Sequence, residues 1–434
     1  MNTTIQNIDF KDLTTDQFVS WLKNKNIRRG YVVFKDGAIK TSNPLLDPFT
    51  KFIAGSPDYS NHEGIFFEAD PETDSLFVAA IHRTVRGSGQ GGTRLKRYET
   101  VDNIFTDVMR LSKGMTEKNS FAQIWWGGGK SVIHPAMSPK LVPVEIRKKI
   151  FTNFGRFIAS LNGLYVCAED MNTTPEDMRV IHANNRFCTC IPKEIGGSSN
   201  PSTATAKGVF QGLLAGVHFL QGVNDQNQVD LKGVHILLEG AGNVGYHVLE
   251  QAVAAGAKVT VFDNWEPKRE QIRAAFPADQ VTVIDNGDDL YEIEADVFSP
   301  NAIGATVNDT TIPKLKVKLI AGAANNQLRD ADVHAKALQE RGILYVPDFV
   351  INRMGIVNCA DEQYGYLASE IDVKLREVYP SIYDLLEKAK ADDISPQFKS
   401  LELSEDLSQI PHPIWGHRGA KIIDYLMGNG WAEF

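Results

Sequence analysis

The chain has 434 residues, of which 43% are hydrophobic and 23% charged, a usage close to that of soluble globular proteins that excludes a disordered chain, a collagen and a coiled-coil rod. With about 150 residues to a domain, this length calls for two or three domains. Lys and Arg number 45 against 54 Asp and Glu, a formal charge of -9, so no general attraction to nucleic acid or to an anionic membrane surface is expected. The stretch from Met1 to Phe10 is polar and lacks the basic start and apolar centre of a secretory signal. No run approaches the roughly 18 apolar residues of a membrane span, so the expected location is cytoplasmic. Four cysteines, Cys167, Cys188, Cys190 and Cys359, match no zinc-knuckle spacing and read as buried thiols.

The first half reads as mixed α and β. Residues Ser75 to Val85 have the β-branched and aromatic density of a strand, and the glycine-rich stretch Gly87 to Gly92 is expected to end it as a turn. Val101 to Gly114 has helical apolar spacing, with Thr100 as N-cap, and points toward Lys118. Val144 to Leu161 reads as a second helix and Tyr165 to Ala168 as a short buried strand ending at Glu169 and Asp170. Lys118 and Lys130 stand twelve residues apart, the second directly after Gly127, Gly128 and Gly129. One reading is a flexible surface loop with two solvated lysines. The other is a substrate site dried by Trp125 and Trp126, where desolvation and a nearby second cation both disfavour the ammonium form and make a lysine a base near neutral pH. Asp170 taken alone reads as well as a helix N-cap, because Pro175, Glu176 and Asp177 favour a helix start just beyond it.

From residue 202 the texture changes. Ala204 to Phe219 is helical, Val234 to Leu238 is an apolar run fit for a strand buried on both faces, and Gly240, Ala241, Gly242, Asn243, Val244 and Gly245 follow immediately. Strand, G-x-G-x-x-G and helix in that order form a pyrophosphate-binding turn, with backbone N–H groups at a helix start facing the phosphates. Asp263 stands eighteen residues beyond Gly245 at the end of the next strand, where a carboxylate accepts hydrogen bonds from a ribose. Such an acid favours NAD over NADP, whose 2'-phosphate it would repel; Asn264 and Trp265 follow, and Lys268 and Arg269 come only later. Further strands are expected at 281–284, 297–298, 319–321 and 344–346, giving a doubly wound parallel sheet. Ile371 to Ala389 is a long helix expected to pack back on the first domain, and the tail from Ser395 reads as irregular up to a last helix near Ala420 to Leu426.

The strings GGTR (Gly91 to Arg94), RLSKGMTEK, GGGKSVI, AEDMNTTPEDM, GSSNPSTATAKGV, LLEGAGNVGYHV, NDTTIPKLKVKLIAGAANNQL and PDFVINRMGIVNCADEQYGY occur in this order between about residues 75 and 370. Together they resemble the glutamate/leucine/phenylalanine/valine dehydrogenase family, nearest its leucine and phenylalanine branch. The resemblance implies NAD-dependent oxidative deamination of an L-amino acid to its 2-oxo acid and ammonia, with reductive amination in reverse. By position, Lys130 resembles the catalytic lysine that activates water and Asp170 the carboxylate that exchanges a proton with the substrate amine. Lys118 resembles the lysine on the substrate α-carboxylate, with Asn352 as a second contact. Gly91 and Gly92 match the glycine pair against which substrate lies, Gln90 and Met115 flank that substrate region, and Thr205 and Asn326 match polar positions near the nicotinamide.

Three features depart from the family pattern. Gln90 stands where leucine-type members carry an apolar residue and glutamate-type members a lysine, so glutamate is disfavoured as substrate. Glu117 replaces an aromatic residue beside Lys118, and Arg353 with Met354 replaces small residues after Asn352, a bulky pair expected to reshape or cover the pocket. Ten scattered histidines show no metal spacing, so no metal is expected. The expectation is therefore an α/β protein of two domains: a substrate domain, 1–201 completed by C-terminal helices in 356–434, and a Rossmann-type NAD-binding domain, 202–355, with the active site in the cleft between them. Its partner is a small amino acid or 2-oxo acid, with an apolar or aromatic side chain favoured, and it is expected to form a homo-oligomer. Two alternatives stay open: a biosynthetic offshoot acting on an unusual oxo acid, and a non-catalytic nucleotide-binding regulatory protein.

Overall fold

A computed structural model describes residues 10–363 and 365–433. Residues 1–9, most of the stretch read against a secretory leader, lie outside the described residues, as does Tyr364 in the last family-like string. The chain divides into two compact units: Met1–Ser199 with Cys359–Tyr366 and Ser404–Phe434, and Asn200–Asn358 with Leu367–Leu403.

The first unit is built on seven strands: β1 (Arg29–Lys35), β2 (Ala38–Thr41), β3 (Gly64–Ala69), β4 (Leu76–Arg83), β5 (Gly89–Leu95), β6 (Gly127–His134) and β7 (Tyr165–Glu169). Their order is β2-β1-β3-β4-β6-β5-β7, antiparallel from β2 to β6, while β5 runs parallel to both β6 and β7. On one face an aromatic cluster of Phe10, Phe18, Phe49, Phe52, Phe67 and Phe105 is buried, with Phe49 and Phe105 edge to face at 4.8 Å. Each such ring contributes about 1.5–3 kcal/mol by leaving water. The helix Val101–Phe121, capped by Thr100, continues past Gly114 for two more turns. Helix-interior glycine costs about 1 kcal/mol, which is offset here by burial of Met109, Ser112, Thr116 and Asn119.

One expectation for this unit is corrected: of the turn read at Gly87 to Gly92, the part from Gly89 belongs to strand β5, hydrogen-bonded on both edges. Of the two readings for the glycines before Lys130, the surface loop falls, because Gly127–His134 is the fully buried strand β6. Glycine is used in both because the sheet is pressed against its neighbours: a Cβ on Gly91 would overlap the Gly129 carbonyl oxygen, and one on Gly129 would lie 2.6 Å from the Tyr165 ring.

The second unit carries six strands, β8 (His235–Glu239), β9 (Lys258–Phe262), β10 (Val281–Val283), β11 (Val297–Pro300), β12 (Leu319–Ile320) and β13 (Leu344–Tyr345). They form one parallel sheet ordered β10-β9-β8-β11-β12-β13. Their Val, Ile and Leu residues are buried because helices cover a parallel sheet on both faces. This is the Rossmann-type doubly wound arrangement.

The C-terminal segment divides differently from the sequence reading. Ile371 to Ala389 is two helices, Ala368–Arg376 and Val378–Ala391, which belong to the second unit and not to the first. The second of them buries Tyr379, Ile382 and Leu386; Tyr379 Oη lies 2.9 Å from His218 Nδ1, and a Cβ on Gly212 would lie 2.8 Å from Ile382 Cδ1. The tail from Ser395 is also less irregular than expected, because Pro396 opens the helix Pro396–Ser408, at a first-turn position where the missing N–H costs nothing. Residues 404–433 pack on the first unit, with Arg83 bonded to Glu405 at 2.9 Å and Trp431 edge to face with Phe66 at 5.3 Å.

Candidate active site

In the first unit, the sheet register assembles the candidate catalytic pair. Thr93 of β5 pairs with both Ser131 of β6 and Glu169 of β7, so Lys130 stands one residue before that line and Asp170 one residue after it. Lys130 Nζ bonds Asp170 Oδ2, and the lysine side chain is 7% exposed. A Cβ on Gly92 would fall 2.6 Å from Asp170 Cβ and 3.1 Å from Lys130 Nζ, so only glycine leaves room for the pair. Capping does not occupy Asp170: Thr174 caps the helix Pro175–His182 in a capping box with Asp177, while Thr173 accepts from the Asp170 amide at 2.8 Å.

Asp170 has a second cation. Arg94 Nε donates to the same Oδ2 at 3.0 Å, and Arg94 Nη1 reaches Asp107 Oδ2 at 3.0 Å. Asp107 also accepts from Tyr98 Oη at 2.7 Å and Arg110 Nη2 at 3.1 Å. Burial pushes the Lys130 ammonium down in pKa; Asp170 opposes this and Arg94 adds to it. Burial alone would raise Asp170, but the charges of Lys130 and Arg94 prevail and hold its carboxyl well below the usual carboxylate range. The neighbouring Glu169 is pushed up to about 7, first by burial and then by Asp177 and Asp170.

Arg94 is therefore the second cation against this carboxylate, a group that the sequence reading left unnamed. Arg94, two residues past the stretch Gly87 to Gly92 read as a turn, has no role in the sequence reading; strand alternation from Gln90 through Gly92 puts it on their face. Drying also differs from expectation: Trp126 is buried with its Nε1 donating to Ala360 O at 3.1 Å, whereas Trp125 is 41% exposed under the Arg86 guanidinium.

The other residues of this unit that the family resemblance places near substrate lie on or against β5. Gln90 is fully buried, its Nε2 3.9 Å from Cys359 Sγ and its Oε1 without a hydrogen-bond partner. The Gly91 carbonyl accepts from Tyr165 Oη at 2.6 Å, and a Cβ on Gly91 would lie 3.1 Å from Met115 Cγ. Met115 and Lys118 are half-buried on the helix Val101–Phe121, and Glu117 Oε1 lies 4.0 Å from Lys113 Nζ.

The second unit holds the other candidates. At its glycine turn each glycine has a separate reason. Gly240 has φ +86 and would meet Ala302 Cβ at 2.5 Å; a Cβ on Gly245 would overlap the Gly240 carbonyl oxygen; Gly242 faces open space. A tight turn, an open backbone and close helix–strand contact are what pyrophosphate binding requires, and the helix Gly245–Ala254 starts there. Ala241, Asn243 and Val244 complete the turn. Asp263, just past β9, accepts from Ala241 N at 2.8 Å and Trp265 N at 2.9 Å, which fixes its carboxylate beside the turn with lone pairs to spare for ribose hydroxyls. Arg269 is engaged elsewhere, bonded to Asp285 at 3.1 Å and to the Asp263 carbonyl at 2.7 Å.

Asn352 is buried in this unit, donating to Ala323 O at 3.1 Å and Asn325 Oδ1 at 2.8 Å, with its own Oδ1 unpartnered. Asn326 is exposed at φ +53 beside it in sequence to Asn325, and Thr205 Oγ1 donates to Pro201 O at 2.9 Å. Arg353 and Met354, expected to reshape a pocket, are core residues: the guanidinium bonds Val350 O at 3.0 Å and Ser381 Oγ, and a Cβ on Gly208 would lie 2.5 Å from Met354 Cγ. Among the described residues, no group of three or more His, Cys, Asp or Glu is arranged to hold a metal ion, and no helix is long and apolar enough to cross a membrane.

Known proteins are similar to this chain in sequence and fold. The family described as Glu/Leu/Phe/Val dehydrogenase, dimerisation domain, matches residues 76–186, and that described as Glutamate/Leucine/Phenylalanine/Valine dehydrogenase matches residues 261–392. The chain is 38% identical over 346 residues to a leucine dehydrogenase of Bacillus cereus, covering 80% of this chain and 90% of that protein. It is 40% identical over 338 residues to a phenylalanine dehydrogenase of Lysinibacillus sphaericus, covering 77% and 86%. The solved structure of L-tryptophan dehydrogenase from Nostoc punctiforme superposes with a TM-score of 0.68 at 31% identity, over 80% of this chain and 96% of that one. The chain belongs to the glutamate/leucine/phenylalanine/valine dehydrogenase family and is an amino acid dehydrogenase, an oxidoreductase acting on CH–NH2 groups.

Proposed function

We propose that the chain catalyses NAD-dependent oxidative deamination of an L-amino acid with an apolar or aromatic side chain, and the reverse reductive amination. The observation that carries this reading is a buried lysine, Lys130, sharing a carboxylate with Arg94 on the face cleared by Gly92. Gly240–Gly245 and Asp263 would hold NAD, which when bound would supply the acceptor for hydride from the substrate Cα. Lys118 binds the substrate α-carboxylate and fixes its orientation. Asp170 takes a proton from the substrate ammonium, because hydride leaves Cα only from the neutral amine. Lys130, as neutral amine, takes a proton from the water that adds to the iminium carbon. Arg94 leaves Asp170 paired throughout. The apolar or aromatic preference is supported by the 38% and 40% identity to a leucine and a phenylalanine dehydrogenase, while Gln90, which offers no cation to a side-chain carboxylate, argues only against glutamate. Self-association is part of the same proposal, supported by the dimerisation-domain match over residues 76–186.

The test is a screen of the purified protein with NAD against the common L-amino acids at alkaline pH, following reduced cofactor. Turnover of Leu, Val, Phe or Trp is the expected result. Tight NAD binding with no turnover of any of them would favour the unusual oxo acid instead, and silence without NAD binding would reject the reading. Asp263→Ala is expected to weaken NAD binding about tenfold or more, on the scale of a charge-assisted hydrogen bond, with little change in turnover at saturating NAD. Titration calorimetry checks this, and unaltered affinity would remove Asp263 from the ribose site.

A further inference from the structure

We propose that Arg94 is a positioning residue for this reaction: its guanidinium anchors Asp170 and bridges it to Asp107, so that the carboxylate keeps a partner whether or not Lys130 carries its proton. This inference rests on Lys130 acting as the base. The geometry is specific. Arg94 gives Nε to Asp170 Oδ2 at 3.0 Å and Nη1 to Asp107 at 3.0 and 3.3 Å, so one planar fork spans two carboxylates. Lysine cannot span both, since it is a point charge without a fixed fork. Arg94 and Lys130 bond the same carboxylate oxygen, and their side chains are 17% and 7% exposed.

Consider the pair without Arg94. A buried lysine facing a buried carboxylate alone is a tight ion pair, and taking the proton from the lysine strands an uncompensated carboxylate, which is costly. The lysine then stays an ammonium and is useless as a base. With Arg94 in place, whose charge is permanent, loss of the lysine proton leaves Asp170 still paired, and the guanidinium repels the ammonium besides. The charged groups acting on Lys130 are Asp170 beyond β7, Arg94 on β5 and Asp107 on the helix Val101–Phe121. Tyr98 and Arg110 join through Asp107.

Opposite signs follow for two variants. Arg94→Gln removes a cation and is expected to raise the ionisation of Lys130 by about one pH unit or more; Asp107→Asn removes an anion and is expected to lower it, both on the scale of charges a few ångströms apart. The ionisation is read in two ways on the full-length protein: the 13Cε shift of Lys130, assigned by its loss in Lys130→Arg, and the acid limb of kcat/KM against pH. Arg94→Lys is expected to return the limb toward its native position without restoring kcat, because charge returns and the fork does not. Shifts of opposite sign in the two variants support the proposal. No shift in either folded variant, or the same sign in both, overturns it; if Arg94→Gln does not fold, an unmoved Asp107→Asn overturns it by itself. A 13C shift that moves as expected while the kcat/KM limb stays fixed upholds the Arg94 coupling and instead removes Lys130 as the base, so the two failures are distinguishable.

Discussion

Lys130→Ala is expected to lower turnover by about 10³-fold or more, near the upper end of what a positioned acid–base group contributes. NAD affinity should change little, because Gly240–Gly245 and Asp263 belong to the other compact unit. Lys130→Arg is expected to be as inactive, since a guanidinium is not deprotonated in proteins and cannot take a proton from water. Steady-state kinetics with the best substrate from the screen, beside calorimetric NAD binding, check both halves. Near-native turnover in either variant would take Lys130 out of the mechanism. Loss of NAD binding would show a folding defect, which circular dichroism would detect.

The second large effect is on stability. Gly128→Ala would place a methyl group on top of the Thr116 backbone nitrogen and Oγ1 and 2.5 Å from the Ser112 carbonyl oxygen. The obstructing atoms are mostly backbone of the helix Val101–Phe121, so no side-chain rotation relieves the overlap and β6 must move away from the helix. Overpacking of this kind costs 1–3 kcal/mol where side chains can yield; with backbone in the way, about 3 kcal/mol or more is expected. A denaturant midpoint unchanged from the native protein would mean that β6 and this helix are not in contact as described. Because β6 carries Lys130 and the helix carries Lys118, a folded Gly128→Ala should also lose activity beyond its stability loss.

The two halves of the site differed in how legible they were. In the second unit, a strand, a glycine turn, a helix and Asp263 lie within thirty residues of sequence, and the requirements are local: a positive φ at Gly240, open space at Gly242, close packing at Gly245. Residue order alone therefore carries the reading. In the first unit, Lys130 and Asp170 stand forty residues apart, and what joins them is parallel pairing of β6, β5 and β7. Gly87 to Gly92 reads as a turn, and a surface loop stays open as one reading of the glycines before Lys130, because glycine is a poor strand former. Its use there reflects what presses on the strands, namely Met115, Thr116 and Tyr165, and sequence alone does not show those neighbours.

By itself, the sequence determined the class of fold and the glycine-rich turn after β8, since apolar periodicity and motif spacing depend only on near neighbours along the chain; Lys130 and Asp170 stood out as a pair only through resemblance to the family. Tertiary structure alone decided that Lys130 is buried, that Arg94 shares its carboxylate, that Arg353 and Met354 are core residues, and that 367–403 packs with the second unit. These depend on which strands lie side by side and which faces are covered. Desolvation and Coulomb interactions act through space and not along the backbone, so the base strength of Lys130 is set by groups from three separate elements.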